Sequence, residues 1–189
     1  MQRPRYSMSF TTGALLYRES LVIAELYAQL ADWQAVRDRV LGENLLQIRT
    51  PNAAERTYRE VASRLKLLTE GQRTLLAQGT PDDQRCLLWL AMCKRYRFIY
   101  DFAVDVLHEK YLRLDLQLDP AEYDRYFARK AEWHPEMENV TPKTRDKQRQ
   151  VVLKTLREAG LLDGDLRLIP ALLSPALVAA IAADDPQHF

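Results

Sequence analysis

Two stretches of the sequence combine helical periodicity with a face of cationic side chains. Projected at about 100° per residue, residues 51–68 have an apolar stripe suited to a core and an opposite polar stripe without an acidic residue. The apolar stripe consists of Ala54, Tyr58, Val61, Leu65 and Leu68, and the polar stripe of Asn52, Arg56, Arg59, Ser63 and Lys66. Residues 142–159 repeat the arrangement, with Val152, Leu156 and Ala159 opposite Lys143, Lys147, Gln150, Lys154 and Arg157. Such faces have the chemistry with which proteins bind phosphate groups.

The cations are segregated along the chain. Residues 44–68 contain five cations and two acids, and residues 141–158 contain six cations and two acids, although the net charge of all 189 residues is only +1. The rest of the chain is therefore acidic. A solvated charged face is the ordinary explanation for one such helix, but two of them in an otherwise acidic chain favour a polyanionic partner.

These patterns predict a non-enzymatic protein that binds double-stranded DNA. The predicted contacts of the first stretch are Arg49, Thr50, Asn52, Arg56, Arg59, Ser63 and Lys66. Those of the second are Lys143, Arg145, Lys147, Arg149, Lys154 and Arg167. We expect most of them to contact phosphate, whereas Asn52 and Arg56 are suited to hydrogen bonding with base edges in the major groove.

The elements that must position the first set form a predicted helix-turn-helix at about residues 33–68. Asp32 is a suitable N-cap for a helix that ends near Gly42, and Thr50-Pro51 begins the next helix with Thr as N-cap and Pro at the first helical position. The intervening "ENLLQIRT" makes the turn longer than in the shortest helix-turn-helix motifs.

The second set belongs to a predicted winged-helix-like module. Thr141-Pro142 begins its helix, Gly160 ends it, and "LLDGDLRLIP" predicts a β-hairpin around Asp163-Gly164 that would carry Arg167 as a wing. We therefore expect a mainly α fold in two domains. Residues 1–138 form a helical bundle with the helix-turn-helix, and residues 139–189 form the winged-helix-like module with a small β-hairpin.

A long apolar helix is predicted to form the hydrophobic centre of the protein. It begins at Thr80-Pro81, and its apolar residues recur in steps of three and four. These residues are Trp89, Met92, Tyr96, Ile99, Ala103 and Val106.

Enzymatic, metal and membrane signatures are absent from the sequence. It contains no Gly-rich phosphate loop, GxSxG elbow, HExxH motif or paired-cysteine metal site, and its three histidines lie on separate predicted elements. We therefore expect no cofactor. The first residues do not read as a signal peptide, and no apolar run reaches about 18 residues, so we expect a soluble cytoplasmic protein.

The sequence also resembles a known family, on a pattern that extends over most of the chain. The residues that carry it are Arg18-Glu19-Ser20, Trp33, Val36, Val40, Asn44, "LQIRT" before the first basic helix, and "TLREAGLLDGD" near the end. The pattern is similar to that of BrxA, the small helical component of BREX bacteriophage-exclusion systems. The resemblance implies a fold akin to the helical NusB antitermination proteins, DNA binding, and work beside other BREX components.

Two alternative functions remain open at this point. A NusB-like RNA-binding factor is favoured by the implied fold kinship and by "KRYRFIYDF" at residues 94–102, which interleaves basic and aromatic side chains. Alternatively, the basic helices dock on acidic proteins of the defence complex, in which case the chain is an adaptor. The sequence does not reveal an oligomeric state.

Overall fold

The computed structural model describes residues 5–185, and these residues are mainly helical, as predicted. The α-helices are α1 Tyr17–Leu30, α2 Trp33–Gly42, α3 Pro51–Leu65, α4 Glu70–Gln78, α5 Pro81–Arg95, α6 Arg97–Phe102, α7 Glu109–Leu112, α8 Pro120–Ala131, α9 Pro142–Glu158 and α10 Pro175–Ala182. A π-helical segment, Ala103–His108, joins α6 to α7, and a 3₁₀ turn, Pro135–Met137, follows α8.

The chain forms two compact units. Within the described range, the first unit comprises residues 5–14 and 92–171, and the second comprises residues 15–91 and 172–185. This division differs from the sequence-based boundary at residues 138/139. The physical reason is that α8 and α9, on either side of that boundary, pack against each other within the first unit.

The second unit is built around α1, which packs against α2, α3 and α4, while α10 packs against α4. Ile23, Val36 and Val61 are buried where these helices meet. The predicted cap of α2 is confirmed, because the Asp32 carboxylate accepts a hydrogen bond from the backbone N–H of Gln34 at 2.7 Å. The predicted start of α3 at Pro51 is also confirmed.

An extended N-terminal segment completes the core of the first unit. Tyr6 and Phe10 are buried, and the Gln148 side chain of α9 donates a hydrogen bond to the Met8 carbonyl at 2.6 Å. The Phe10 ring contacts that of Phe98, which also packs against aromatic residues of α8. Residues far apart in sequence therefore share one aromatic core.

The predicted long apolar helix is interrupted. Tyr96 has extended backbone angles (φ −124°, ψ 91°) and separates α5 from α6. Met92, Tyr96 and Ile99 are buried as predicted, but Ala103 and Val106 lie in the π-helical segment, which buries none of its residues. The buried part of this stretch therefore ends at Phe102.

The predicted β-hairpin is wrong, because no β-strand occurs anywhere in residues 5–185. The segment instead forms a tight turn in which the Asp163 carboxylate accepts hydrogen bonds from the N–H groups of Asp165 and Arg167, at 2.9 and 2.8 Å. One isolated antiparallel bridge joins Leu162 to Leu168. The ladder does not extend further because the N–H of Leu161 is bonded to the Leu156 carbonyl at the end of α9, at 2.9 Å, where Gly160 has φ +75°.

Candidate nucleic-acid interface

The two stripes predicted for α3 are present in the structure. Every member of the apolar stripe is buried, and the Tyr58 hydroxyl donates to the Trp33 carbonyl at 2.8 Å, which fixes α3 against the start of α2. On the opposite side, Asn52, Arg56 and Arg59 are exposed. The periodicity of the sequence therefore identified correctly which face of α3 is available to a partner.

One of the cations counted in this stretch belongs to the core. The Arg64 side chain is only 3% exposed, and its Nη2 lies 2.8 Å from the Glu60 carboxylate one turn earlier. Because this buried pair is neutral overall, the other residues of the stretch carry the same net charge as the whole stretch.

A groove lies beside the exposed stripe, between α2, the turn and the start of α3. Its volume is about 510 Å³. Its lining consists of Arg37, Leu41, Asn44, Ile48, Arg49, Pro51, Asn52, Ala54, Glu55 and Arg59. Three arginines thus face a single acidic residue, so the groove is electropositive. Arg37 is a lining residue that the sequence analysis missed, because nothing in the spacing of α2 indicates that it faces α3.

The turn before α3 is held in a defined conformation. Asn44 and Gln47 both have left-handed backbone angles, with φ of 47° and 54°, and the Asn44 side chain accepts a hydrogen bond from the Ile48 N–H at 3.1 Å. The Arg18 side chain of α1 also donates to the Gln47 side chain. These contacts fix the direction in which the exposed Arg49 and Thr50 leave the turn.

Thr50 and Thr141 occupy the same position before their helices but differ in the use of the side chain. The Thr141 hydroxyl accepts a hydrogen bond from the Thr144 N–H at 3.2 Å, as a capping residue normally does. Thr50 has the N-cap backbone conformation but makes no capping hydrogen bond through its side chain. Its exposed hydroxyl is therefore not committed to the helix end.

The last two predicted contacts on α3 have different surroundings. The Ser63 hydroxyl is half-buried and donates to the Glu60 carbonyl at 2.8 Å, so it is turned towards its own helix. Lys66 is exposed at the end of α3, with its ammonium 5.3 Å from the centre of the Trp33 ring. Lys66 therefore presents its charge to solvent, whereas the Ser63 hydroxyl is already hydrogen-bonded to its own helix.

The stripes of α9 are also present. Val152, Leu156 and Ala159 are buried, whereas the five residues predicted for the opposite face are all exposed. Lys143, Lys147 and Arg157 have no ion-pair partner among residues 5–185, whereas Lys154 lies 3.5 Å from Glu158. The uncompensated charge of α9 therefore lies on these three side chains.

Two predicted contacts on α9 are directed instead towards α8. The Arg149 guanidinium donates to the Asp124 carboxylate and lies 3.2 Å from Asp146. Arg145 lies 3.5 Å from the other Asp124 oxygen and 5.6 Å from the centre of the Phe127 ring. The structure thus separates these two arginines from the exposed lysines of the same helix.

Arg167 is the last of the predicted DNA contacts, and residues 94–102 are the basic–aromatic stretch that favours the RNA-binding alternative. Arg167 is exposed on the turn after α9. In residues 94–102, Phe98 and Ile99 are core residues, while Arg97 is 2.7 Å from Asp101 and stacks over Tyr100 at 4.6 Å. The aromatic side chains of this stretch therefore contribute mainly to packing.

Among the helices of the described residues, none has the length and apolar character to cross a membrane.

The family model and the two relatives that match this chain carry the same description, BrxA. A family model described as BrxA matches residues 4–185. A relative from Escherichia coli O9:H4 (strain HS), described as BREX protein BrxA, is 28% identical over 151 residues, which is 80% of this chain and 71% of the relative. A second relative with the same description, from Bacillus cereus (strain H3081.97), is 22% identical over 157 residues, which is 83% of this chain and 78% of the relative.

A solved structure of an uncharacterized protein from Magnetospirillum magneticum has the same fold. The TM-score is 0.84 with 21% sequence identity, over 98% of this chain and 96% of that one. At this level of identity, the likeness concerns the fold alone.

Proposed function

The chain belongs to the BrxA family, and from that premise we propose that it is a non-enzymatic, double-stranded DNA-binding component of a BREX phage-defence system. The family assignment supports the role in BREX phage defence and, with it, the expectation that other BREX components are partners. DNA binding rests on the surface of the molecule.

The observation that carries DNA binding is the electropositive groove beside the exposed stripe of α3. Arg49 and Arg56 are exposed and have no ion-pair partner in the described part of the chain, and Asn52 lies on the same helix one turn before Arg56. Exposed cations on one face of a helix can each neutralise a phosphate of a duplex. Two of these side chains also have the donors that read guanine and adenine.

The contacts are divided by role. Arg49, Arg59 and Lys66 contact phosphate from the second unit, and Lys143, Lys147 and Arg167 do so from the first unit. Asn52 and Arg56 approach base edges, and the free hydroxyl of Thr50 donates to phosphate near the start of α3. Arg145 and Arg149 contribute through the packing of α9, because Asp124 already engages both.

A fluorescence-anisotropy titration of a labelled duplex at several salt concentrations tests the proposal. We compare the wild type with Arg56→Ala/Arg59→Ala and Lys143→Ala/Lys147→Ala. The charge-matched control is Arg113→Ala/Arg125→Ala, which removes two exposed arginines that are paired with acids outside the proposed surfaces. Each phosphate contact contributes about 0.9 to the slope of log affinity against log salt, so Lys143→Ala/Lys147→Ala should reduce the slope by up to about 1.8, and Arg56→Ala/Arg59→Ala, in which only Arg59 contacts phosphate, by about 0.9.

The control variant is expected to retain the wild-type slope, and circular dichroism checks that all variants are folded. An absence of wild-type binding near physiological salt contradicts DNA binding. Tighter binding of a structured RNA than of the duplex in competition would select the RNA-binding alternative, and retention of other BREX components after nuclease treatment, without nucleic-acid binding, would select the adaptor.

A further inference from the structure

Among the described residues, Glu55 is the one acidic residue that lines the groove of about 510 Å³. Its Oε2 lies 3.0 Å from Nη2 of Arg37, and its Oε1 lies 3.7 Å from Nε of Arg59. The carboxylate therefore contacts one arginine from each helix that borders the groove. The Glu55 side chain is 28% exposed, so it is open to the space that a ligand would occupy.

We propose that Glu55 is an internal counterion that competes with phosphate for Arg37 and Arg59, and thereby sets the affinity of the groove for nucleic acid. This inference rests on the proposed function. Phosphate oxygens and a carboxylate make the same charge-assisted hydrogen bonds with a guanidinium, and both prefer bidentate contact. An incoming phosphate must therefore replace Glu55 at these arginines or bind beside a negative charge.

The surroundings of the two arginines make the exchange feasible. The Arg59 side chain is 70% exposed, and its 3.7 Å contact with Glu55 is longer than a hydrogen bond. Solvent-exposed ion pairs of this kind contribute little to folding, so the side chain can leave Glu55 at small cost. Arg37 is 39% exposed and has a second acidic neighbour, Asp38, at 3.4 Å, so it keeps a partner when Glu55 releases it.

The counterion role is distinct from that of a residue that merely positions the arginines. If Glu55 positions them for DNA, its removal weakens binding. If it competes for them, its removal strengthens binding, because the groove gains one net positive charge without losing a donor. The isosteric substitution Glu55→Gln separates these possibilities, since it removes the charge and leaves the shape of the side chain nearly unchanged.

The experiment is the salt-dependent duplex titration with wild type, Glu55→Gln and a control of equal charge change, Glu25→Gln, whose side chain is exposed on α1 and does not line the groove. We expect Glu55→Gln to bind roughly fivefold tighter at 50 mM salt, with a slope steeper by about 0.9. Glu25→Gln is expected to remain within about twofold of wild type, because screening weakens a more distant charge. In an Arg37→Ala/Arg59→Ala background, the gain from Glu55→Gln should disappear.

The outcomes distinguish this inference from the proposed function. If the wild type binds duplex and Glu55→Gln binds it equally well or more weakly, the counterion role is overturned and DNA binding stands. An equal gain in Glu25→Gln, or a gain that persists without Arg37 and Arg59, also overturns it. Failure of both wild type and Glu55→Gln to bind duplex overturns the proposed function and this inference together.

Discussion

The carboxylate of Asp124 on α8 accepts a hydrogen bond from the guanidinium of Arg149 on α9. The side chains of both residues are only about a quarter exposed, so the contact lies at the α8–α9 packing surface and not on the open face of α9. Lys147, two residues earlier, is exposed and has no ion-pair partner within residues 5–185. Neighbouring cations on one helix thus have different roles, one in packing and the other at the surface.

Replacement of Arg149 should therefore affect folding more than replacement of Lys147. We expect Arg149→Ala to lower the free energy of unfolding by roughly 1–2 kcal/mol, because it leaves Asp124 partly buried with a weaker partner. Lys147→Ala should change it by less than about 0.5 kcal/mol. Urea titrations followed by circular dichroism measure both values. Equal effects of the two substitutions would contradict the division of roles.

The same contrast shows what the sequence could predict. Helical periodicity placed the buried and exposed residues of α3 and α9 on the correct faces, because that property depends only on spacing along one helix. It did not separate Arg145 and Arg149 from the lysines of α9, since their partner Asp124 lies on another helix. Charge counts alone do not reveal which cations are already neutralised.

The groove shows a second property that the sequence did not reveal, namely how two helices pack against each other. Arg49, Asn52 and Arg59 were predicted from α3 and its turn, but Arg37 reaches the groove from α2. Its position depends on how the two helices pack, which a stripe on either helix does not specify. The predicted hairpin failed for a related reason. The turn signal at Asp163-Gly164 was correct, but strands do not extend from it because the end of α9 takes up the N–H of Leu161.

The N-terminal segment should contribute strongly to the folding stability of the first unit. Phe10 is fully buried, with its ring centre 5.4 Å from that of Tyr96 and 6.1 Å from that of Phe98. We expect Phe10→Ala to lower the free energy of unfolding by about 3–5 kcal/mol, because a buried aromatic ring is replaced by a cavity. The measurement is a urea titration monitored by near-ultraviolet circular dichroism, which reports on the aromatic core.

The adjacent substitution Ser9→Ala provides the control for this prediction. Ser9 is exposed, and the carbonyl that accepts a hydrogen bond from Tyr96 belongs to its backbone, which the substitution retains. The expected change is within about 0.5 kcal/mol. A loss for Phe10→Ala no larger than that for Ser9→Ala would show that the segment does not contribute to the core.

Asp83 gives the second unit a pH-dependent contribution to stability. Hydrogen bonds from the Ser174 and Thr80 hydroxyls lower the pKa of its carboxyl group below the ordinary 3.8, although burial opposes this. A lowered pKa in the folded state means that the stabilisation is complete above pH 3.8 and is lost as the pH falls through the folded-state value. We expect Asp83→Asn to cost roughly 1–3 kcal/mol at pH 7, with the difference from wild type shrinking below about pH 4.

Urea titrations at about pH 7, 4 and 2.5 test this prediction, with Asp82→Asn as the control, because the stabilisation is lost only as the pH falls well below 3.8. Asp82 is adjacent in sequence, but its side chain is 83% exposed and, within residues 5–185, forms its ion pair across one turn with Arg85, at 2.8 Å. Replacement of Asp82 should change the free energy of unfolding little at any of these pH values. A cost for Asp83→Asn that stays constant down to the lowest pH would mean that the charge of Asp83 is not the source of the stabilisation.

The buried pair on α3 should respond differently to single and double substitution. Arg64 and Glu60 are 3% and 10% exposed, with 2.8 Å between Nη2 and the carboxylate. Glu60→Ala leaves the guanidinium buried without this carboxylate, and we expect a loss of about 3 kcal/mol in the free energy of unfolding. Glu60→Leu/Arg64→Met removes both charges, and because apolar residues of similar volume avoid the cost of desolvating a charge, it should recover most of that loss. Urea titrations of the two variants measure the difference. A double variant that is less stable than Glu60→Ala would show that the pair stabilises α3 beyond what packing supplies.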